Sequence, residues 1–172
     1  FNRPRDSFFI FEQPLVPVIT TDGSWAATAA FEPVLKPGGH GVLWLLMEEY
    51  KVFDWFKSHK REYLIVRQIN NPLAGLNKNL LALAGLGIKN KQSFGFLSCE
   101  RLPKASEGMI VLQQSYNEDG FHSSLTNIEY TEFAAKGIED RSVSKECPYS
   151  LYPANTNILF ASIKEIKKTL AA

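Results

Sequence analysis

Short apolar runs separated by polar or glycine-rich breaks organise the chain. Phe8-Phe9-Ile10-Phe11 is continuously apolar, is closed by Gln13-Pro14, and reads as a buried strand. Val16-Pro17-Val18-Ile19 follows, with a turn at Asp22-Gly23, while residues 24–35 show no clear period. Lys36-Pro37-Gly38-Gly39-His40-Gly41 is a glycine-rich loop. From Val42 to Ser58 the chain is mostly apolar, but Glu48, Lys51, Asp54 and Ser58 recur at helical spacing, which predicts one long helix with a single wet stripe. Tyr63 to Val66 predicts a strand that runs into the polar stretch 67–71 and stops at Pro72. A second helix is predicted over Asn77 to Leu86, with Gly85 and Gly87 ending it.

The second half changes period. Ser93 to Cys99, Met109 to Tyr116 and Phe121 to Tyr130 read as strands, the last two joined as a hairpin by Asn117-Glu118-Asp119-Gly120. Asn155 to Phe160 predicts a further strand. Ser162, with Glu165 three residues on, predicts a capping box opening a final helix whose apolar face is Ile163, Ile166 and Leu170. This order of elements predicts a three-layer α/β domain with a mixed sheet. Polar residues just past strand ends, at 67–71 and 155–157, mark where ligands bind in open α/β sheets.

Composition narrows the classes. The 172 residues fit one domain, 45% hydrophobic and 22% charged, and no repeat or linker divides them. Nineteen Lys and Arg against eighteen Asp and Glu argue against a broad nucleic-acid or membrane surface, so phosphate chemistry must be local. No apolar run reaches the roughly 18 residues of a membrane helix. Cys99 and Cys147 lie far apart with no CxxC, which points away from a disulfide framework and toward a reducing, cytoplasmic setting. The chain begins at Phe1 and shows no signal-peptide pattern; the expectation is a piece of a longer protein.

Candidate chemistry is confined to a few loops. The glycines of 38–41 let backbone approach a ligand, and the following helix offers free N–H groups. The loop is neither a P-loop nor GxGxxG, and by spacing alone it reads first as a tight turn before a helix. Lys164 falls in the first turn of the last helix, where a cation is unfavourable unless an anion is bound; the plain alternative is a solvated lysine beside Lys167 and Lys168. Asn155 and Asn157, two apart on a strand, face one side and suit sugar hydroxyls, although asparagine is also a turn residue. Gln68, Asn70 and Asn71 form a similar cluster. Glu129 and Glu132 flank Tyr130 in the predicted strand, where Glu129 either accepts from hydroxyls or is simply solvated. His40, His59 and His122 lack metal-ligand spacing, and no GxSxG elbow or cysteine nucleophile motif is present.

Taken in order, these segments resemble the UTP-dependent sugar-1-phosphate uridylyltransferases, the UDP-sugar pyrophosphorylases, in their bacterial and plastid-type branch. Phe11-Glu12-Gln13-Pro14-Leu15-Val16-Pro17 is similar to that family's Phe-x-Gln…Pro segment, and Pro37-Gly38-Gly39-His40-Gly41 to its Pro-Gly-His-Gly loop. Gln68-Ile69-Asn70-Asn71-Pro72-Leu73 resembles its Asp-Asn-x-Leu segment, and Glu107-Gly108 the start of a strand that touches the sugar. Ile128-Glu129-Tyr130-Thr131-Glu132 resembles Val-Glu-Tyr-Ser-Glu. Asn155-Thr156-Asn157 followed by Lys164 resembles Asn-Thr-Asn-Asn…Leu-Lys-x-Ile. The resemblance runs from about Phe8 to Ile166.

The resemblance implies a nucleotide-diphospho-sugar transferase fold, glycosyltransferase-A-like and Rossmann-like. Residues 1–172 would be part of the nucleotidyltransferase catalytic domain, with the N-terminal nucleotide loop missing. It implies transfer of UMP from UTP to a sugar 1-phosphate, glucose 1-phosphate first and N-acetylglucosamine 1-phosphate as the alternative acceptor, giving a UDP-sugar and pyrophosphate. Gln13, Gly38 and Gly39 would meet uracil, and His40 and Lys164 the phosphates. Asn70 and Asn71 would bind substrate, and Gly108, Glu129, Asn155 and Asn157 would hold the sugar. Mg2+ is expected from the family, yet Asn70 stands where most members carry the aspartate that binds it, and a neutral amide is a poor magnesium ligand. The remainder of a full-length chain is an expected partner. The competing expectation is a non-catalytic UDP-sugar-binding or regulatory domain of the same fold.

Overall fold

A computed structural model describes residues 2–69 and 77–171. The chain divides into two compact units, Phe1–Glu62 with Ile163–Ala172, and Tyr63–Ser162.

In the first unit an extended segment leads into β1 (Leu15–Pro17), which pairs antiparallel with β4 (Leu35–Pro37). Between them β2 (Ala27–Ala29) and β3 (Glu32–Pro33) form a small antiparallel pair, so the region without a clear sequence period is a set of short strands. The Phe8–Phe11 run is not a strand. Phe9 and Phe11 turn onto helices instead, Phe9 packing 5.9 Å from the Trp55 ring and Phe11 5.7 Å from Tyr50, while Ile10 is left 88% exposed. Aromatic packing rather than a backbone ladder takes up this apolar run.

The long helix expected over 42–58 is two helices, α1 (Val42–Glu49) and α2 (Val52–Ser58). Lys51 between them has φ 56, which breaks the i→i−4 ladder. In one continuous helix with Leu46 and Met47 inward, Tyr50 and Lys51 would follow them inward at i+4. The break re-aims the chain so that Val52 and Phe53 are buried and Tyr50 and Lys51 stay exposed. The expected wet stripe is present: Glu48, Lys51, Asp54 and Ser58 are all exposed. A last helix of this unit, which becomes α5 in chain order, packs on α1, buries Ile163 and lays Lys167 Nζ 5.5 Å from the Phe53 ring centroid.

The second unit holds β5 (Tyr63–Val66), α3 (Lys78–Lys89), β6 (Phe94–Cys99), β7 (Met109–Asn117), β8 (Gly120–Ile128), α4 (Tyr130–Ala135) and β9 (Ala154–Ser162), and β9 leads directly into α5 (Ile163–Leu170). The five strands form one sheet, ordered β5-β9-β7-β8 with β6 also on β9. Residues 159–161 of β9 pair with β5 through 64–66 and with β6 through 94–96, both antiparallel. β5 and β6 therefore run parallel to each other, joined through α3 as an α/β crossover, but β9 is inserted between them. For that reason the mixed sheet expected from sequence has no parallel ladder among the described residues; each pairing there is antiparallel.

Two boundaries differ from the sequence reading. α3, N-capped by the Asn77 side chain accepting from Asn79 N–H at 2.9 Å, runs through Gly85 and Gly87 to Lys89 rather than stopping at Leu86. Gly87 is present for packing. A Cβ there would overlap Cε1 and lie 2.5 Å from Cζ of Phe160, whose ring is 1% exposed at the core. And β8 ends at Ile128, not Tyr130: Glu129 is the N-cap of α4, and Glu132 sits in its first turn, four residues before Lys136 and 3.5 Å from its ammonium. Helical spacing beyond Glu129 is what lets Phe133 turn inward and pack 4.7 Å from Tyr152. The β7–β8 hairpin turns at 117–120 as expected, with Asn117 opposite Gly120.

Candidate functional site

The glycine loop acquires its form from the β1–β4 ladder. Pairing of Leu15 with Pro37 sets Gln13-Pro14 beside Gly38-Gly39. Gly38 N–H donates to Pro14 O at 3.1 Å, and Gly39 N–H donates to Gln13 Oε1 at 2.9 Å. Gly38 is close-packed, since a Cβ there would meet Val42 Cγ1 at 3.2 Å; Gly39 has φ +85, which only glycine adopts without strain. Around them lies a cavity of about 290 Å³, lined by the apolar Phe11, Val42, Leu43 and Leu46 and by Gln13, Gly39 and His40.

The Gly39 N–H and Gln13 Oε1 are a donor and an acceptor side by side, satisfying each other across 26 residues. A planar heterocycle with adjacent carbonyl and N–H could replace that one bond by two, its carbonyl accepting from Gly39 and its N–H donating to Gln13. Phe11 and the apolar wall would cover its faces. Gln13, Gly38, Gly39 and His40 are thus brought together as expected. Lys164 is exposed in the first turn of α5, the helix that packs on α1, into which the glycine loop leads.

The second unit gathers another polar cluster. Gly108, just before β7, accepts from Asn155 N–H at 2.9 Å through its carbonyl. A Cβ on Gly108 would lie 2.8 Å from Asn127 Oδ1 and 3.2 Å from Glu129 Oε1, so the missing side chain is what makes room for both. Asn127 Nδ2 donates to Glu129 Oε1 at 3.2 Å. Asn155 and Asn157 do not simply share a strand face. The β6–β9 register shifts between Leu97 and Ser98, Asn157 takes φ 55, and the two asparagines close on each other: Asn155 Nδ2 donates to Asn157 Oδ1 at 3.1 Å, and Asn157 N–H to Asn155 Oδ1 at 3.0 Å. Gly108, Glu129, Asn155 and Asn157 therefore belong to one cluster. Asn127 belongs to it too, and nothing in the sequence singles it out; its place is set by its contacts with Gly108 and Glu129. Asn70 and Asn71 lie outside the described residues.

Nothing in the sequence signalled a third group. Arg101, 3% exposed, donates to Asp140 through two nitrogens at 3.1 and 2.6 Å, and to Ser150 Oγ at 3.0 Å. Burial works against the Asp140 carboxylate, but hydrogen bonds from Arg101, Ser150 and Lys104 N–H, with the Arg101 charge, outweigh it and hold the carboxyl at about 2. This network is 39 and 49 residues wide in sequence and locks the loops around β7. Burial, then the charges of Glu107 and Glu100, push the Cys99 thiol up, which disfavours the thiolate.

Among the described residues no three His, Cys, Asp or Glu side chains gather as a metal site. Magnesium is ordinarily held by one or two carboxylates together with substrate phosphates, and in the second unit's cluster Glu129 is the carboxylate beside the Asn127, Asn155 and Asn157 amides, which are poor magnesium ligands.

No protein-family model matches the chain. It is 44% identical over 165 residues, 95% of its length, to UTP–glucose-1-phosphate uridylyltransferase 3, chloroplastic, of Arabidopsis thaliana, of which this covers 19%. It is 29% identical over 145 residues to a UDP-sugar pyrophosphorylase of Oryza sativa subsp. indica, covering 80% of the chain and 23% of the relative. The chain thus spans about a fifth of the length of these relatives. The fold is that of a solved protein from Entamoeba histolytica assigned as a UDP-N-acetylglucosamine pyrophosphorylase, with a TM-score of 0.71 and 14% identity over 100% of this chain and 40% of that one.

Proposed function

We propose, from the chain's kinship with a segment of the sugar-1-phosphate uridylyltransferases, that it carries base-reading and sugar-holding parts of such an enzyme. The reaction is UMP transfer from UTP to a sugar 1-phosphate, glucose 1-phosphate being the favoured acceptor. An oxygen of the sugar phosphate attacks the α-phosphorus of UTP, a new P–O bond forms, the bond to the bridging α–β oxygen breaks, and pyrophosphate leaves. Positioning and charge neutralisation dominate such a step, with little acid–base work, which suits glycines, amides and cations without a nucleophile triad.

In this reading Gln13 and Gly39 select uracil, with Gly38 holding the loop against β1. His40 and Lys164 contact phosphate oxygens, Lys164 with its positive charge. Glu129 accepts from sugar hydroxyls, Asn155 and Asn157 exchange hydrogen bonds with them, and Gly108 leaves the space. Asn70 and Asn71 are proposed substrate contacts from the resemblance alone. Magnesium is a proposal for the whole enzyme, from the resemblance; among the described residues no group of three His, Cys, Asp or Glu gathers for it.

The observation that carries the reading is the Gly39 N–H to Gln13 Oε1 pair at 2.9 Å on the cavity rim, a donor–acceptor edge complementary to uracil. Calorimetry tests it. UDP-glucose should bind and CDP-glucose should bind at least tenfold more weakly, because cytosine N3 accepts where uracil N3–H donates. Equal affinity for the two, or none for UDP-glucose, refutes it. A second reading, a UDP-sugar-binding domain without catalysis, is supported by Asn70, an amide where most members of the resembled family carry an aspartate. Binding without pyrophosphate release by the full-length protein would select it.

A further inference from the structure

The first unit contains another hollow, away from the glycine loop's lining residues. Its volume is about 240 Å³ and it is lined by Arg3, Ser7, Phe8, Trp55, His59 and Arg61. Trp55 Nε1–H donates to Asp6 O at 3.0 Å, which ties the N-terminal segment to α2 and holds the two walls together. The Trp55 and His59 rings pack 4.7 Å apart, and His59 Nδ1 lies 2.9 Å from Trp55 O, so the ring is fixed.

Charge is what distinguishes this hollow. Arg3 and Arg61 both line it, and neither guanidinium has a carboxylate or other hydrogen-bonding partner among the described residues; Arg61 bonds through its backbone N–H, which donates to Phe56 O at 2.9 Å. The two stretches that build it, 3–8 and 55–61, carry five cationic side chains against the carboxylate of Asp6 alone, whereas the whole chain is nearly neutral at +1. No acidic side chain lines the hollow. The C-terminal end of α2 favours the cations near it, and Arg3 is brought there from a distant segment. Two guanidiniums brought to one small concavity repel unless an anion sits between them. A guanidinium also offers a fork of N–H donors matched to phosphate oxygens. The Ser7 hydroxyl adds a donor, and Trp55 and Phe8 add an apolar wall.

We propose that this hollow binds a phosphate group, either inorganic phosphate or the head of a small phosphomonoester, with Arg3 and Arg61 as its two clamps. The proposal is independent of the uridylyltransferase reading and uses none of its residues.

The test is nuclear magnetic resonance on the 172-residue chain. The Trp55 indole N–H is assigned with Trp55→Phe, and sodium phosphate is titrated at constant ionic strength against sodium chloride. A saturable shift with phosphate and none with chloride is expected. It should weaken at least tenfold in the Arg3→Gln/Arg61→Gln double variant, with circular dichroism and Tm unchanged. Phenyl phosphate provides the second arm: tenfold tighter binding than phosphate identifies a monoester that uses the aromatic wall, and equal binding identifies the inorganic ion. A non-saturating shift, the same shift with chloride, or a double variant that binds like wild type overturns the proposal.

Discussion

Gly85 and Gly87 lie on the same helix, two residues apart, and replacing each by alanine should move stability in opposite directions. In a helix interior Ala is favoured over Gly by roughly 1 kcal/mol. At Gly85 no atom lies within 4 Å of the added Cβ, so that gain is realised in full. At Gly87 the Cβ would lie 2.5 and 2.7 Å from Cζ and Cδ1 of Phe160 and closer still to Cε1. That ring is 1% exposed, stacked 5.4 Å from Tyr63, and carried on the central strand β9, so it cannot swing aside. Overpacking of this kind costs about 1–3 kcal/mol, and contacts this short belong at the upper end; set against the helix gain, the net loss is about 2 kcal/mol. For a domain this size roughly 2–4 °C accompanies each kcal/mol, so Gly87→Ala should lower Tm by about 4–8 °C and Gly85→Ala raise it by about 2–4 °C. Urea titration, comparing midpoints at unchanged slope, measures both. If the two variants shift stability alike, the packing account of Gly87 is wrong and the residue is only a helix breaker.

Gly108→Ala should behave differently, because its Cβ meets the ends of two exposed side chains, Asn127 and Glu129, which can move. Calorimetry should show UDP-glucose affinity down at least tenfold, while stability changes by less than about 1 kcal/mol. Lys164→Ala in the full-length protein should cut turnover at least tenfold at saturating substrate with Tm unchanged; an unaltered rate removes Lys164 from phosphate handling. Asp140 sets an acid limit. Its carboxyl is held down at about 2, so its contribution is complete above the unfolded value near 4 and is lost as pH falls from there through 2. That contribution is roughly 2 kcal/mol, read as the steepness of acid unfolding. Asp140→Asn should remove this pH dependence and, by leaving Arg101 buried without its counter-charge, cost about 3–5 kcal/mol at pH 7 in urea titration.

Local chemistry was legible without coordinates. The polar types of Glu48, Lys51, Asp54 and Ser58 marked the exposed positions around α1 and α2, although the break at Lys51 was needed to keep that residue out, and Asn117 to Gly120 determined the hairpin turn from neighbours within four residues. The resemblance to the uridylyltransferases, rather than spacing or residue type, pointed to Gln13, Gly39 and His40, which line one cavity.

What the pattern could not contain was the identity of partners far along the chain. Phe8–Phe11 is apolar whether it pairs in a sheet or packs on Trp55 and Tyr50, and only the position of α2 decided. Gly87 looks like a helix stop until Phe160, 73 positions later, is seen to occupy the space of its side chain. Asn127 and Arg101 carry no local mark of their roles; the first is defined by Gly108 across the hairpin, the second by Asp140 and Ser150. Sequence periodicity records which side of an element is apolar, whereas a close contact between distant residues is settled only when β9 inserts between β5 and β6 and fixes what meets what.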